Sequence, residues 1–475
     1  MKRMNNGAIW ALGLTVVLCV PTVWAQQKDP RIPPVAPQAP LPAGDSSSRA
    51  NTDANAAPAP QNEKVPPLTS AEGWRLGKAS SRNYFVPSFS FSQGGDTNPG
   101  NGSSENNEGV QSATSLRGEV AFHRLSGLSE FTGTYSGGAN FYTSNRDLNN
   151  WFQHLELLQK VSGRRSALLI GDTVDFREDP FGGYGGFGNL PGGLGGLNGS
   201  SILNPGLFPS QTVSTGSVPQ ISNTAFVEWQ HTATRRSSFT VTGAYGLLRY
   251  FETGLNDTNN IHAGAGYNYA LSSRDTLAVK YSASLFRFPG FDQKNDSHAM
   301  HLSYRRLLTG RMVFDIGAGP QITLVNNPAG SRRVDSWSLS TSLGYRLRRS
   351  SLGVSYDHST TGGSGFFLGA VTDNVGGTWT LPISRMWSVT WDFGYAHNRP
   401  IGTSSTANPI YDTWRGGLRL ERPMGRYGYV SFNYRAEHQK ARGNTACPGG
   451  ACGFFGTRQL FGIGFNFRFK PVELD

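Results

Sequence analysis

From Arg82 to Lys470 the chain alternates between apolar and polar residues. In Trp387–His397 the side chains of Trp387, Val389, Trp391, Phe393 and Tyr395 share one parity, and Ser388, Thr390, Asp392 and Gly394 share the other. Successive residues of an extended strand face opposite sides, so such a strand has one apolar and one polar face. The same alternation runs through Trp337–Leu347, Ile261–Tyr269 and Phe461–Phe469. It predicts eighteen strands: 82–92, 113–123, 130–142, 150–161, 167–177, 221–233, 239–251, 261–271, 276–288, 297–305, 313–325, 336–347, 352–359, 374–383, 387–398, 413–421, 427–438 and 457–470. The fourth and fifth are the least regular. Leu155, Leu157 and Leu158 break the alternation, and Asp172 falls in phase with Ile170 and Val174. Sixteen strands is the alternative count.

The connections form two alternating sets. Those after even-numbered strands are short, and those after odd-numbered strands are longer, reaching their extreme at 178–220. Charge divides them the same way. The short turns carry thirteen arginines and one acid, Asp275, whereas the long connections carry seven basic and thirteen acidic residues. A soluble sandwich has no reason to sort length and charge together. A transmembrane β-barrel does, because its periplasmic turns are short and its external loops long. Arginines at the inner rim would sit among anionic headgroups, each gaining on the order of 1 kcal/mol. The excess of 43 Lys and Arg over 32 Asp and Glu therefore needs no nucleic acid, and no nucleic-acid-binding motif is present.

Composition agrees. Of 475 residues, 60 are glycine, 12% are aromatic and only 16% are charged. The lone apolar run lies at the N-terminus, which excludes a bundle of membrane-spanning helices, each needing roughly 20 apolar residues. Lys2 and Arg3, the apolar stretch Ala8–Val20 and Val23-Trp24-Ala25 form a signal-peptide pattern over residues 1–25. Residues 26–72, with ten prolines between Pro30 and Pro67, read as a disordered periplasmic extension. The barrel is assigned to 73–475. Cleavage would leave two cysteines, Cys447 and Cys452, separated by the turn Pro448–Ala451, and an even count in an exported chain points to a disulfide.

The chain resembles a bacterial outer-membrane β-barrel protein. Its last strand, Phe461–Phe469, is similar to the C-terminal assembly signal of that class, with aromatic residues at alternate positions, although the chain continues to Asp475. In size it is similar to 18-stranded porins and to polysaccharide-exporting barrels. The resemblance implies contact with outer-membrane lipids, with the barrel-assembly machinery and with small polar or saccharide solutes. It leaves the oligomeric state open.

No catalytic constellation emerges. The nine histidines are scattered, no G-x-S-x-G elbow occurs, and Gly183–Gly188 matches G-x-G-x-x-G without the helix that fingerprint requires. No cofactor, metal or enzymatic activity is assigned. The informative segment is 178–220, which has no Lys or Arg and many apolar residues. It reads as a lid or constriction folded into the pore, or as a flexible surface loop. Parity turns Arg117, Arg346, Arg415, Arg419, Arg435, Arg468, Glu119 and Asp392 toward the lumen as pore-lining candidates. The arginines either set selectivity or brace the wall by pairing with Glu119, Glu421 and Glu437. The expected function is a porin-like channel for small polar solutes. The alternatives are an exporter or importer of a polysaccharide, such as an exopolysaccharide, and a plugged structural or adhesive barrel.

Overall fold

In the computed structural model the described residues are 83–99, 109–179 and 212–473, except 216, 253, 348, 402–409 and 443–455. Residues 1–72, where a signal peptide and a proline-rich extension are expected, and Cys447 and Cys452 lie outside them.

Eighteen long antiparallel strands, β1 (Tyr84–Asp96) to β18 (Gly456–Arg468), pair each with the next in chain order. Closure comes from β1 on β18, in register from Ser88 opposite Arg468 to Asp96 opposite Leu460. The count is therefore eighteen rather than sixteen. The residues beyond the last long strand also have a place: a short β19 (Val472–Glu473) extends the seam against Phe85 and Tyr84.

Several short turns are organised by a hydroxyl placed before the arginine. Thr234 Oγ1 accepts from the backbone N–H of Arg236 and Ser237, and Ser272 Oγ accepts from those of Arg274 and Asp275. Thr309 Oγ1 does the same for Arg311. Side-chain oxygens that bond the backbone two residues on favour turns, so one local rule both reverses the chain and sets the arginines at that rim.

One connection differs from expectation. Residues 326–335 read as a long loop, but β11 (Met312–Asn327) and β12 (Gly330–Arg346) continue pairing to Asn327 opposite Gly330. Only Pro328 and Ala329 lie between them, and Gly330 adopts a positive φ of 130°, a conformation that glycine takes without steric cost.

The barrel is inverted relative to a soluble protein. Ile463, Leu302 and Trp337 on the outer face are 60%, 57% and 50% exposed, whereas Glu228, Asn295 and Thr413 on the inner face are fully buried. With no water in a bilayer core, a closed barrel satisfies every backbone group while presenting side chains that lipid tolerates. Trp391, Phe393, Trp414 and Phe239 are exposed on the outer face as the alternation requires. One expectation needs correction. Val389 shares that face but is buried. Trp151 is only partly exposed, because its ring packs on Phe176 with centroids 4.3 Å apart.

The irregular strands β4 (Asn150–Ser162) and β5 (Ser166–Arg177) have a packing reason. Leu158 points inward and packs with Leu169 and Phe226. Gly171 makes room for them, since a Cβ there would lie 2.3 Å from the Phe226 ring. Asp172 shares the outward face of Ile170, and Asn223 Nδ2 donates to its carboxylate at 2.6 Å.

Candidate functional site

The interior is a polar surface of hydroxyl, amide and charged groups, built by the inward parity of each strand. Its charged members are largely paired with one another. Arg117 donates to Glu119 at 2.8 Å, and Arg305 to Asp315 at 2.6 Å. Arg415 lies 3.1 Å from Glu437, Arg419 3.6 Å from Glu421, and Arg177 2.7 Å from Asp175. The wall-bracing pairs anticipated from the sequence thus form. Arg435 lies within electrostatic range of Arg415, Glu437, Asp392 and Arg177, which joins β17 (Gly428–Arg442) to charge carried by β5. Arg415 Nε and Glu437 Oε2 are buried without hydrogen-bond partners.

Toward the short-turn end, this wall encloses a cavity of about 490 Å³ lined by β1, β2 (Gln111–Ser126), β16 (Ile410–Met424), β17 and β18. Ser88, Ser90, Ser92, Ser115 and Ser431 supply hydroxyls, and Asn433 and Asn466 supply amides. Arg117, Glu119, Arg419, Glu421 and Arg468 supply charge. The structure therefore gathers four of the eight candidates here. Arg415, Arg435 and Asp392 sit on the inward faces of β16, β17 and β15 (Ser388–Pro400), and Arg346 is exposed as the last residue of β12.

At the opposite end the described parts of two connections turn in over the mouth. The first joins β5 to β6 (Gln220–Thr232), and its described residues are 178–179, 212–215 and 217–219. On entry, burial raises the Glu178 carboxyl above its ordinary range, while its Oε2 accepts from the Trp151 N–H at 2.9 Å. Asp179 is drawn to β18, where Arg458 Nη2 donates to it at 2.6 Å and to Asp96 at 2.7 Å. Tyr142 Oη donates to Asp96 at 3.0 Å. Arg458, Asp96 and Asp179 are all essentially excluded from solvent. An Arg fork between two carboxylates suits such a place, because paired charges bear desolvation that isolated ones do not.

On its way out the same connection touches the far wall. Thr212 Oγ1 donates to Asn398 Oδ1 at 2.6 Å. The Ser214 N–H donates to Gln439 Oε1 at 2.7 Å, and Gln439 Nε2 returns a bond to Ser214 O at 3.0 Å. Val213 packs with Phe367 and Tyr411.

The second connection, residues 362–369 between β13 (Ser351–Thr361) and β14 (Ala370–Pro382), was not anticipated. Its Gly365 carbonyl accepts from the Asn256 N–H at 2.7 Å, and Leu368 O accepts from Gln293 and Asn295. Gly363, Gly365 and Gly369 all have positive φ, and a Cβ at Gly365 would meet the Tyr250 ring at 2.7 Å. Ser364, at φ 51°, is the one non-glycine residue among those described with positive φ. Its hydroxyl accepts from the Thr212 N–H at 3.0 Å, so the two connections meet there. The available sequence signal was Phe366-Phe367 inside a glycine-rich stretch, which water would not hold open.

The nine histidines form no shared centre, and no group of three or more metal-ligating side chains exists among the described residues.

These features define a membrane-spanning β-barrel with a polar interior and an obstructed mouth. No protein-family model matches the chain, and no curated protein matches it. Similar solved structures include OccK2 of Pseudomonas aeruginosa in complex with glucuronate, at 11% identity and TM-score 0.41 over 83% of this chain and 99% of that one. They also include the outer-membrane protein OpdK of the same organism, at 9% and 0.40 over 83% and 100%. OccAB3 of Acinetobacter baumannii matches at 10% and 0.39 over 82% and 100%. Likenesses this distant leave function to be argued from the side chains of this chain.

Proposed function

We propose that the protein is a bacterial outer-membrane channel for small polar solutes, with the connection 178–220 as its constriction. The observation that carries this reading is the bond between Thr212 and Asn398, which takes the chain leaving that connection across the mouth of a polar-walled barrel. A barrel of 16–18 strands is wide enough for an aqueous passage, and a segment crossing its mouth narrows the route. The cavity beneath offers hydroxyl, amide and charged groups of both signs, which suits hydroxylated or ionised solutes.

The position of the aromatic rings favours small solutes over a polymer. Inward-facing Tyr142, Tyr250, Phe286 and Tyr411 sit at the long-loop ends of their strands and are buried. Tyr250, Phe286 and Tyr411 pack against connection 362–369 instead of forming a continuous slide.

Planar-bilayer recording tests the proposal. The full chain should form discrete channels, and deleting residues 182–206 should raise single-channel conductance. A chain that inserts and folds but never conducts, with or without the deletion, would make it a plugged structural barrel.

A further inference from the structure

The outer face of β13–β17, near the long-loop end, carries one side-chain arrangement twice. Tyr356 Oη donates to Asp373 Oδ1 at 2.8 Å, and His358 Nδ1 donates to the same oxygen at 2.6 Å. Two strands further on, Tyr395 Oη and His397 Nδ1 meet Asp412 Oδ1 at 2.8 and 2.7 Å. The spacings are identical, 17 residues from Tyr to Asp and 15 from His to Asp. In each unit the second carboxylate oxygen faces a guanidinium from the following strand. Arg399 Nη2 lies 3.7 Å from Asp373 Oδ2, and Arg442 Nε lies 2.6 Å from Asp412 Oδ2.

These groups belong to the lipid-facing side. Tyr395, His397 and Arg399 share the parity of exposed Trp391 and Phe393, while Ala396 and Asn398 are buried on the other face. Trp337 stacks on His358 at 4.3 Å, and Trp414 lies 5.2 Å from Tyr395. Such amphipathic rings settle where hydrocarbon meets headgroups. A carboxylate at this height is costly unless saturated, and each aspartate here is saturated by tyrosine, histidine and arginine. The consequence is two oriented guanidinium groups whose side chains remain 49% and 59% exposed. They leave the wall at one level. Asn398 pairs with Tyr411, and the neighbouring Ile410 pairs with Arg442. Two strand spacings put their stems about 10 Å apart.

We infer that Arg399 and Arg442 bind the phosphates of an anionic glycolipid in the outer leaflet, each aspartate holding its guanidinium ready for the headgroup. The inference rests on the outer-membrane reading above, but it concerns the outside of the wall and not the passage. Guanidinium forks match phosphate geometry, whereas ammonium groups act as point charges. A pair at this separation suits a headgroup carrying two phosphates.

The test uses the full chain folded in detergent and titrated with phosphatidylcholine vesicles doped with diphosphorylated lipid A, with monophosphorylated lipid A or with phosphatidylglycerol. Wild type should bind the first most tightly. Arg399→Gln/Arg442→Gln should weaken that binding by about tenfold or more, from the loss of roughly 1 kcal/mol per charge. Arg399→Lys/Arg442→Lys, which keeps the charges and the fold, should fall between. Equal binding by wild type and both variants would overturn the inference, as would equal affinity of wild type for phosphatidylglycerol. Single-channel conductance unchanged in the variants would separate this outcome from any failure of the channel proposal.

Discussion

Thr212 Oγ1 donates to Asn398 Oδ1 at 2.6 Å, with Thr212 eight residues before the start of β6 (Gln220–Thr232) and Asn398 on β15 (Ser388–Pro400), nine strands away around an 18-stranded wall. A bond between opposite sides cannot form over the outside of the barrel. It places the chain across the mouth, and the buried Ser364 hydroxyl and Gln439 amide hold it there.

Loosening this contact should open the channel further. Thr212→Val removes the donor, and a buried hydrogen bond of about 1 kcal/mol corresponds to a roughly fivefold change in an equilibrium between held and released states. Single-channel records should show longer or more frequent high-conductance events. Thr212→Ser, which keeps the hydroxyl, should resemble wild type. Identical records for valine and serine would remove this bond from gating.

Charge selectivity should follow the inward arginines. Arg415 and Arg435 are close enough to interact on adjacent strands, with Glu437 and Asp392 beside them. Wild type should show a weak anion preference in reversal-potential measurements under a salt gradient. Arg415→Gln/Arg435→Gln should reduce it. Arg415→Gln alone should also destabilise the barrel, by an amount below the roughly 3–5 kcal/mol of a fully broken buried pair, since it removes the 3.1 Å partner of the buried Glu437 carboxylate and leaves it Arg435 alone. Denaturant unfolding in lipid vesicles measures that cost. A cation-selective wild type would place control in the acidic outer connections instead.

The outer face should reject charge according to depth. Leu302 lies near the middle of β10 (Lys294–Thr309) and is 57% exposed. Leu302→Arg should cost about 2–4 kcal/mol in vesicles, while the same change at outward-facing Phe239, near the short-turn rim of β7 (Ser237–Tyr250), should cost about 1 kcal/mol or less. Equal costs at both positions would contradict a bilayer around this wall.

What the sequence by itself determined was everything that alternation controls. Period two is a local property, so Trp391 and Asp392 are assigned to opposite faces without reference to any other strand. The paired contrasts in connection length and charge then order the strands and orient the barrel. The same parity turned Arg117 and Arg419 inward beside Glu119 and Glu421, each two residues along the same strand, whereas Arg415 meets Glu437 across adjacent antiparallel strands once the register is set. Tertiary structure alone decided what is nonlocal. Nothing in the spacing of Asp96, Asp179 and Arg458 links them, because they meet only when β1 closes on β18 and a connection leaving β5 bends inward. The inward course of 362–369 and its junction at Ser364 likewise depend on apolar rings, Tyr250 and Tyr411, supplied from other parts of the wall. Leu158 shows the same division at one residue. Its misplaced phase was visible in the chain, but only Leu169 and Phe226 beside it explain why an apolar side chain is stable inside a polar barrel.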